Sequence, residues 1–535
     1  MDGHRASLGR GAARLGAVAI PLAFLGLFFV YPLASIVDAG LRPQGELQTA
    51  TIADTLSDPD LRRVVWFTLW QAAVSTVLTL AIGLPAAYAL SRIEFPARRV
   101  LGSLVLIPFV LPTVVVGTAF AFPGRSLGWL FAAHVFFNVA VVVRLVGGAW
   151  AHVDPELEDA AEGLGARGYR RFTAVLLPVA LPAIAGATVL VFMYTFASFG
   201  VVLLLGGPGR TTIEVEIFRH TSQLLDLGTA AVLALLQLVV VTILLWIGAL
   251  AESRAVRLRP VEVEISARTP RTNGERLFVA GTVTVLVAIT LLPPIRLVWR
   301  SLSGAQGWTL SHYLDLGSVR EASALAVSAL GAVGNSLAFA AGATALALVV
   351  GLPAAFTVAR AQRARWLRVL SGLPLGVSAV TVGFGFVVAF DRAPLDLRAS
   401  AWLVPIAQAV VAIPFVVRIV APAIASIEED LAESAQALGA SPGQTFRDVT
   451  LPLASRAILG SAVFAFVISL GEFGATAFLA RVDRPTMPIA IFRLLGQPGE
   501  ASLGQATAMS VLLMAVTAAA AFAFDRIRVG AFGRF

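Results

Sequence analysis

The sequence predicts an all-α, polytopic membrane protein of about twelve transmembrane helices, arranged as two parallel six-helix repeats. Three observations carry that reading: composition, the length of the apolar runs, and an internal repeat. Of 535 residues, 58% are hydrophobic and only 13% charged, with a mean hydropathy of +0.84. So few charged groups cannot cover the outside of a soluble protein of this length, so the exterior must face lipid.

Runs of roughly 20 apolar residues, the length that crosses a bilayer, fall at 15–37, 64–90, 99–122, 128–150, 179–206, 229–251, 276–298, 331–359, 367–390, 401–424, 453–480 and 505–524. The first follows basic residues, as in a signal peptide, but from Leu15 to Val37 it is long enough to span, and no small-residue cleavage site clearly ends it. With the N-terminus cytoplasmic, the arginine-bearing loops "SRIEFPARR", "GARGYRR", "ESRAVRLRPVEVEISARTPRTNGER" and "RAQRARWLR" and the tail "DRIRVGAFGRF" all lie inside. That satisfies the positive-inside rule, with both termini in the cytoplasm. The longer acid-containing connections 38–63 and 301–329 then lie outside.

The repeat organises the chain. An offset of 274 joins Gly165 to Gly439, Phe172 to Phe446, Pro178 to Pro452, Arg144 to Arg418 and Gly200 to Gly474, while "GLPAAYAL" from Gly83 recurs as "GLPAAFTV" from Gly351 at an offset of 268. The expected division is a first membrane half at 1–251, a polar cytoplasmic linker at 252–275 and a second half at 276–535. Repeats in the same order with an even helix count are related by an axis along the membrane normal, which puts a transport pathway between them.

Several chemistries are excluded or disfavoured. Cysteine is absent, so there is no disulfide, thiolate nucleophile or Cys-based metal site. The five histidines, His4, His134, His152, His220 and His312, are scattered and never fall at metal-ligand spacing; each reads as structural. No cofactor or metal is expected. Every basic side chain is arginine, and a chain without lysine cannot supply the phosphate-cradling G-x-x-x-x-G-K-[ST] loop, so it does not hydrolyse ATP by that route.

Each half carries one polar interruption after its fourth span. The first reads "EDAAEGLGARGYRRFTAVLLP" from Glu158, the second "ESAQALGASPGQTFRDVTLP" from Glu433. Both set an acid, two small residues, a glycine six positions after the acid, and a Leu-Pro opening the next span: Asp159, Ala160, Ala161, Gly165 and Pro178, then Glu433, Ser434, Ala435, Gly439 and Pro452. Small residues suit a short helix lying against another surface, glycine permits a sharp reversal, and proline in a first turn loses no hydrogen bond. One copy alone reads equally as an interfacial amphipathic helix; two copies in one register point to a shared task.

This spacing resembles the "EAA---G---------I-LP" signature of permease subunits of bacterial binding-protein-dependent ABC importers, with Asp for Glu, Ser for Ala and Val for Ile. The resemblance covers essentially the whole chain and implies a fused permease of the type I importer fold. It further implies that the two interruptions are coupling helices docking on two copies of a separate ABC ATPase subunit, and that a periplasmic or lipid-anchored substrate-binding protein delivers the substrate. Among fused permeases, "AHVFFNVAVVVRL" from Ala133 and "FASFGVVLLLGGPGRTTIEVEIFR" from Phe196 look most like thiamine permeases, and "SLGEFGA" resembles both thiamine and iron(III) permeases. A proton-coupled secondary transporter is the rival of another class, but it is expected to carry more ionisable residues in its spans.

The pathway is sought on the fifth span of each half. Glu472 sits where the first half has Ser198. A carboxylate there either faces a cavity or is a structural group bonded to its surroundings. Tyr194 and Phe199, with Phe192 and Phe196, either stack on an aromatic cation or pack against helices and lipid. Arg144 and Arg418 read as snorkelling side chains. The outer segments with Arg210, Thr211, Thr212, Glu214 and Glu216, and with Arg484 to Arg493, read either as binding-protein contacts or as solvated loops.

Overall fold

The computed structural model describes residues 18–42, 53–55, 57–121, 124–166, 168–255, 267–270, 272–318, 325–360, 365–391, 395–427 and 429–529. The first half comprises α1 (Val18–Leu41), α2 (Pro59–Arg92), α3 (Arg98–Val110), α4 (Thr113–Ala121), α5 (Leu127–Ala151), the short α6 (Pro155–Gly163), α7 (Tyr169–Phe196), α8 (Gly200–Leu205), α9 (Ile213–Ser222) and α10 (Leu227–Ala255). The second comprises α11 (Asn273–Ser301), a two-stranded hairpin pairing Ser303 with Trp308, α12 (Ser311–Leu314), α13 (Ala329–Arg360), α14 (Trp366–Gly376), α15 (Ala379–Ala389), α16 (Leu403–Ala425), α17 (Glu429–Ala437), α18 (Gly443–Gly471), α19 (Thr476–Leu479), α20 (Met487–Leu495) and α21 (Glu500–Val529).

Among the described residues ten helices are long and apolar enough to cross a membrane, and twelve spans result if the pairs α3–α4 and α14–α15 each count as one. Those pairs bend by 100° and 99°, so the expected straight spans 99–122 and 367–390 are in fact sharp elbows. The first breaks where Leu111, forced to extended backbone by the proline after it, cannot continue the helix. At the second, Val377 and Ser378 are extended, and Ser378 accepts from the Thr381 N–H to start α15 afresh. The fifth spans also differ from expectation. Both begin earlier, at Tyr169 and Gly443, and both stop mid-run, at Phe196 and Gly471.

Helix starts follow ordinary capping chemistry. Asp58 accepts from Asp60 N at 2.8 Å and Asp154 from Glu156 N at 2.9 Å, each followed by a proline in the first turn. Ser126 caps α5 by accepting from Trp129 N. Within the spans, Thr68, Thr76, Thr79 and Thr188 return their hydroxyls to carbonyls one turn back, so these hydroxyls are satisfied without water.

The chain forms two compact units that cut across the halves of the sequence. One contains residues 53–216 and 236–299, the other 217–235 and 300–535 together with the N-terminal 1–52. In the first unit α2 packs against α5, and Gly83 lets them approach closely: a Cβ there would lie 2.7 Å from Val142 Cβ. In the other unit α13 meets α16 in the same way, where a Cβ on Gly351 would lie 2.8 Å from Val416 Cγ1. Val142 and Val416 are themselves 274 apart, so the repeat extends to the packing contact.

The opening helix of each half is lodged among helices of the other half. In its unit α1 packs on α15, with Phe28 5.7 Å from Phe390 and the Tyr31 hydroxyl donating to Ala389 O. In the other unit α11 buries Leu286 with Ala86, Leu101, Val105, Val139 and Ala140.

Candidate functional site

The two polar interruptions fold alike. α6 ends in a left-handed residue, Gly165 at φ +85°, with Ala166 N donating to Ala161 O at 2.9 Å and Gly165 N to Glu162 O at 3.0 Å. α17 ends on Gly439 at φ +91°, with Ala440 N donating to Ala435 O at 3.0 Å. This is a Schellman cap, and it gives the acid-small-small-x-x-x-Gly spacing a physical meaning. The second small residue supplies the carbonyl that closes the helix, and glycine supplies the turn. Open space surrounds both glycines, so their requirement is conformational, not one of close approach.

The outward faces also match. Asp159, Ala160, Glu433 and Ser434 are exposed, and Ala161 and Ala435 half-buried. Leu157 projects from α6 and Leu164 from the position that ends it, and Leu431 and Leu438 are placed likewise in the second interruption; Leu164 and Leu438 are each 90% exposed. Two leucines seven residues apart with small residues between them form one apolar helix stripe facing away from the protein.

Beyond each loop the next span contains one wide π-helical turn, at Phe172–Leu176 and Phe446–Thr450, again 274 apart. Each lies just before the Leu-Pro pair. The prolines therefore do not open their spans, as expected from the sequence, but sit inside helices that began at Tyr169 and Gly443. The wide turn falls where the proline ring would otherwise meet the carbonyl one turn back. Phe172 meets the ring of Tyr88 at 6.0 Å, and Phe446 that of Phe356 at 5.0 Å.

The two loops differ in how they are tied to the spans. In the first, Glu158 points inward and forms an ion pair with Arg92, the last residue of α2; both side chains are buried. Arg171, at the start of α7, lies 3.5 Å from Glu158 and also donates to Glu162. Arg92 further donates to Trp150 O at 3.2 Å and Val153 O at 3.3 Å, satisfying carbonyls at the end of α5, and Trp150 Nε1 donates to Leu176 O. The linker joins this assembly: Arg268 N donates to Arg92 O, Glu94 N to Arg268 O, and the Arg268 guanidinium grips Glu275 at 2.5 and 3.0 Å. That hydrogen-bonded pairing raises the Arg268 pKa further above its ordinary value.

In the second loop, Thr445 and Gln436 stand where the first has Arg171 and Glu162. Arg360, the counterpart of Arg92, is exposed and donates to Thr450 Oγ1 at 3.2 Å. α18 is instead preceded by a capping box of Ser441 and Gln444: Ser441 N donates to Gln444 Oε1 at 2.8 Å and Gln444 N to Ser441 Oγ at 3.4 Å.

On the fifth spans, Glu472 is buried at the break after α18. Its carboxylate accepts from Ala475 N at 2.8 Å, Thr476 N at 2.9 Å and the Thr476 hydroxyl. It caps the next turn. Ser198 is buried and bonds His134 Nε2 at 2.9 Å, while Ser75 bonds His134 Nδ1 at 2.8 Å. Phe199 is buried, Phe192 stacks on Phe196, and Tyr194 is 42% exposed beside Phe109.

Comparison with known proteins gives this geometry its context. Residues 79–257 and 347–529 each match the family described as "Binding-protein-dependent transport system inner membrane component", and together they cover well over half of the chain. The chain belongs to this family.

The permease is 27% identical over 489 residues to "Thiamine transport system permease protein ThiP" of Escherichia coli K12, covering 85% of this chain and 88% of that one. It is 26% identical over 560 residues to "Probable ABC transporter permease protein y4fN" of Sinorhizobium fredii, covering 96% of each. A solved bacterial ABC transporter involved in the import of the acidic polysaccharide alginate aligns with 48% of this chain and 98% of its own at 16% identity and a TM-score of 0.39. Family membership makes this a multi-pass inner-membrane permease of an ABC importer. It is not an enzyme: ATP hydrolysis resides in a separate subunit, and a substrate-binding protein is a further partner. The proton-coupled reading is set aside.

Some of the contacts that the fold brings together were not read from the sequence. His134, taken as an isolated structural residue, is a partner of Ser198. The signal was available in the repeat, since the positions 274 on from this His–Ser pair hold Gln408 and Glu472. Glu158 was passed over for its neighbour Asp159. Glu214 and Glu216, for which a solvated loop was one reading, are buried on α9, and Gln237 donates to Glu214 at 2.6 Å. Arg144 and Arg418 are both exposed.

Proposed function

We propose that this permease carries thiamine inward across the bacterial inner membrane, as a fused subunit with halves at 1–251 and 276–535 joined by a cytoplasmic linker at 252–275. Both termini lie in the cytoplasm. Asp159, Ala160, Ala161, Gly165 and Pro178 belong to one ATPase-coupling loop, and Glu433, Ser434, Ala435, Gly439 and Pro452 to the other. Each docks on one of two ATPase copies. A periplasmic or lipid-anchored binding protein presents the substrate on the opposite face.

The observation that carries the coupling assignment is the doubled Schellman-capped helix with its exposed leucine stripe, in one register 274 residues apart. An apolar stripe held on a stiff helix outside the membrane is what a groove on a soluble motor can push. Thiamine is favoured by the thiamine-permease relative that matches 85% of the chain. Tyr194, 42% exposed beside Phe109, would stack on an aromatic cation. Ser198, Phe199 and Glu472 act behind it by holding the breaks in the fifth spans in shape.

The test is uptake of labelled thiamine or ferric iron by proteoliposomes holding the permease, its ATPase and its binding protein. ATP-dependent thiamine uptake is expected, and iron uptake in its place overturns the substrate assignment. Gly165→Trp and Gly439→Trp are each expected to leave insertion intact and uncouple hydrolysis from uptake. Unaltered coupling in both removes these loops from the mechanism.

A further inference from the structure

We propose that Glu158 is the positioning residue of the first coupling loop, locking it through Arg92 and Arg171 to the ends of α2, α5 and α7, so that the two loops transmit force unequally. The first is a rigid strut and the second a compliant one. This rests on the reading of both loops as ATPase contacts.

Glu158 is one residue from Asp159, yet a helical step of about 100° turns the two to opposite faces, one buried and one exposed. Its carboxylate faces two guanidiniums. One belongs to Arg92, which also donates to the last carbonyls of α5; the other to Arg171, which also holds Glu162 one turn further along α6. A push on the Leu157 and Leu164 stripe therefore reaches three spans through the ion pairs of Glu158 and the further hydrogen bonds of Arg92 and Arg171, not through one flexible connection. The linker stiffens the same point, since Arg268 bridges the backbone at Arg92 and Glu94 and is itself fixed to Glu275.

The second loop is chemically unable to copy the arrangement. Ala432, Thr445 and Gln436 stand where the first loop has Glu158, Arg171 and Glu162, and among the described residues the exposed Arg360 donates to the Thr450 hydroxyl.

The experiment uses the complete transporter in proteoliposomes, with thiamine uptake and ATP hydrolysis followed together, and spin labels placed at Ala160 or Ser434. Glu158→Gln and the milder Arg171→Thr, which installs the residue found at 445, are compared with Arg360→Gln. Both first-loop variants are expected to lower the number of substrates moved per ATP about tenfold or more, within the range of coupling between distant sites. They are also expected to increase label mobility at 160 and not at 434. Arg360→Gln changes the ratio by less than about twofold. The proposal is overturned if Arg171→Thr, folded and assembled, leaves both ratio and mobility as they were, or if Arg360→Gln matches it. Leu164→Asp separates this from failure of the underlying reading: it should release the ATPase during purification, and retention of a working ATPase in that variant sinks the coupling-loop reading itself.

Discussion

The two polar loops share a helix, a cap, an exposed leucine stripe, a π turn and an aromatic contact, yet they differ in their fastening. Most of what is shared faces outward or lies along the chain itself, and the aromatic contacts of Phe172 with Tyr88 and of Phe446 with Phe356 reach the spans alike. What differs faces the spans: a buried Arg92–Glu158–Arg171 cluster in one, an exposed Arg360 and a Ser441–Gln444 capping box in the other. Under the proposed docking of one ATPase copy on each loop, two similar partners ask for similar outward surfaces. Nothing requires the inner attachments to match, and they do not.

The largest test of that contrast is Glu158→Ala. It leaves the buried Arg92 guanidinium without its carboxylate, while Arg171 keeps Glu162, which costs about 3–5 kcal/mol. The melting temperature of the purified permease should fall several degrees; a shift no larger than that of Arg360→Ala would erase the distinction. Next come Gly83→Ala and Gly351→Ala, where the new methyl meets Val142 or Val416 inside contact distance in both halves. Each should cost about 1–3 kcal/mol by overpacking, and nearly equally. Equal losses here and unequal losses at the loops would confine the asymmetry to the loops. Gly165→Ala and Gly439→Ala follow, at about 1–2 kcal/mol each for a left-handed alanine in open space. Matched shifts in thermal unfolding are expected, and a mismatch would mean that the caps are not equivalent. Smallest is Arg360→Ala, below about 1 kcal/mol, because water replaces the exposed hydrogen bond.

Much of this was legible in the sequence. Long apolar runs and the 274-residue offset announce two membrane halves, and the Gly165 and Gly439 spacing announces a tight reversal. The elbows at Leu111 and Val377 were hidden because an apolar run keeps the same hydropathy whether it is straight or bent. The inward role of Glu158 was hidden because it depends on Arg92, far back in the chain, and two adjacent acids look alike until a partner selects one. Glu472 was left with two readings for a related reason. Its partners, the N–H groups of Ala475 and Thr476, exist only once the helix breaks in front of them.

The exchange of opening helices has a consequence for how the chain could be divided. Cutting between 255 and 267 would leave two fragments, each holding a helix that finishes the other's core: α1 for the C-terminal piece, α11 for the N-terminal one. Neither fragment could bury Leu286 or Phe28 alone in the way the intact chain does. Co-expressed, the fragments would clasp one another without the covalent link, and Arg268 would still carry its bridge to Arg92. The peptide bond between the halves then serves mainly to fix stoichiometry, and the interlock keeps them together.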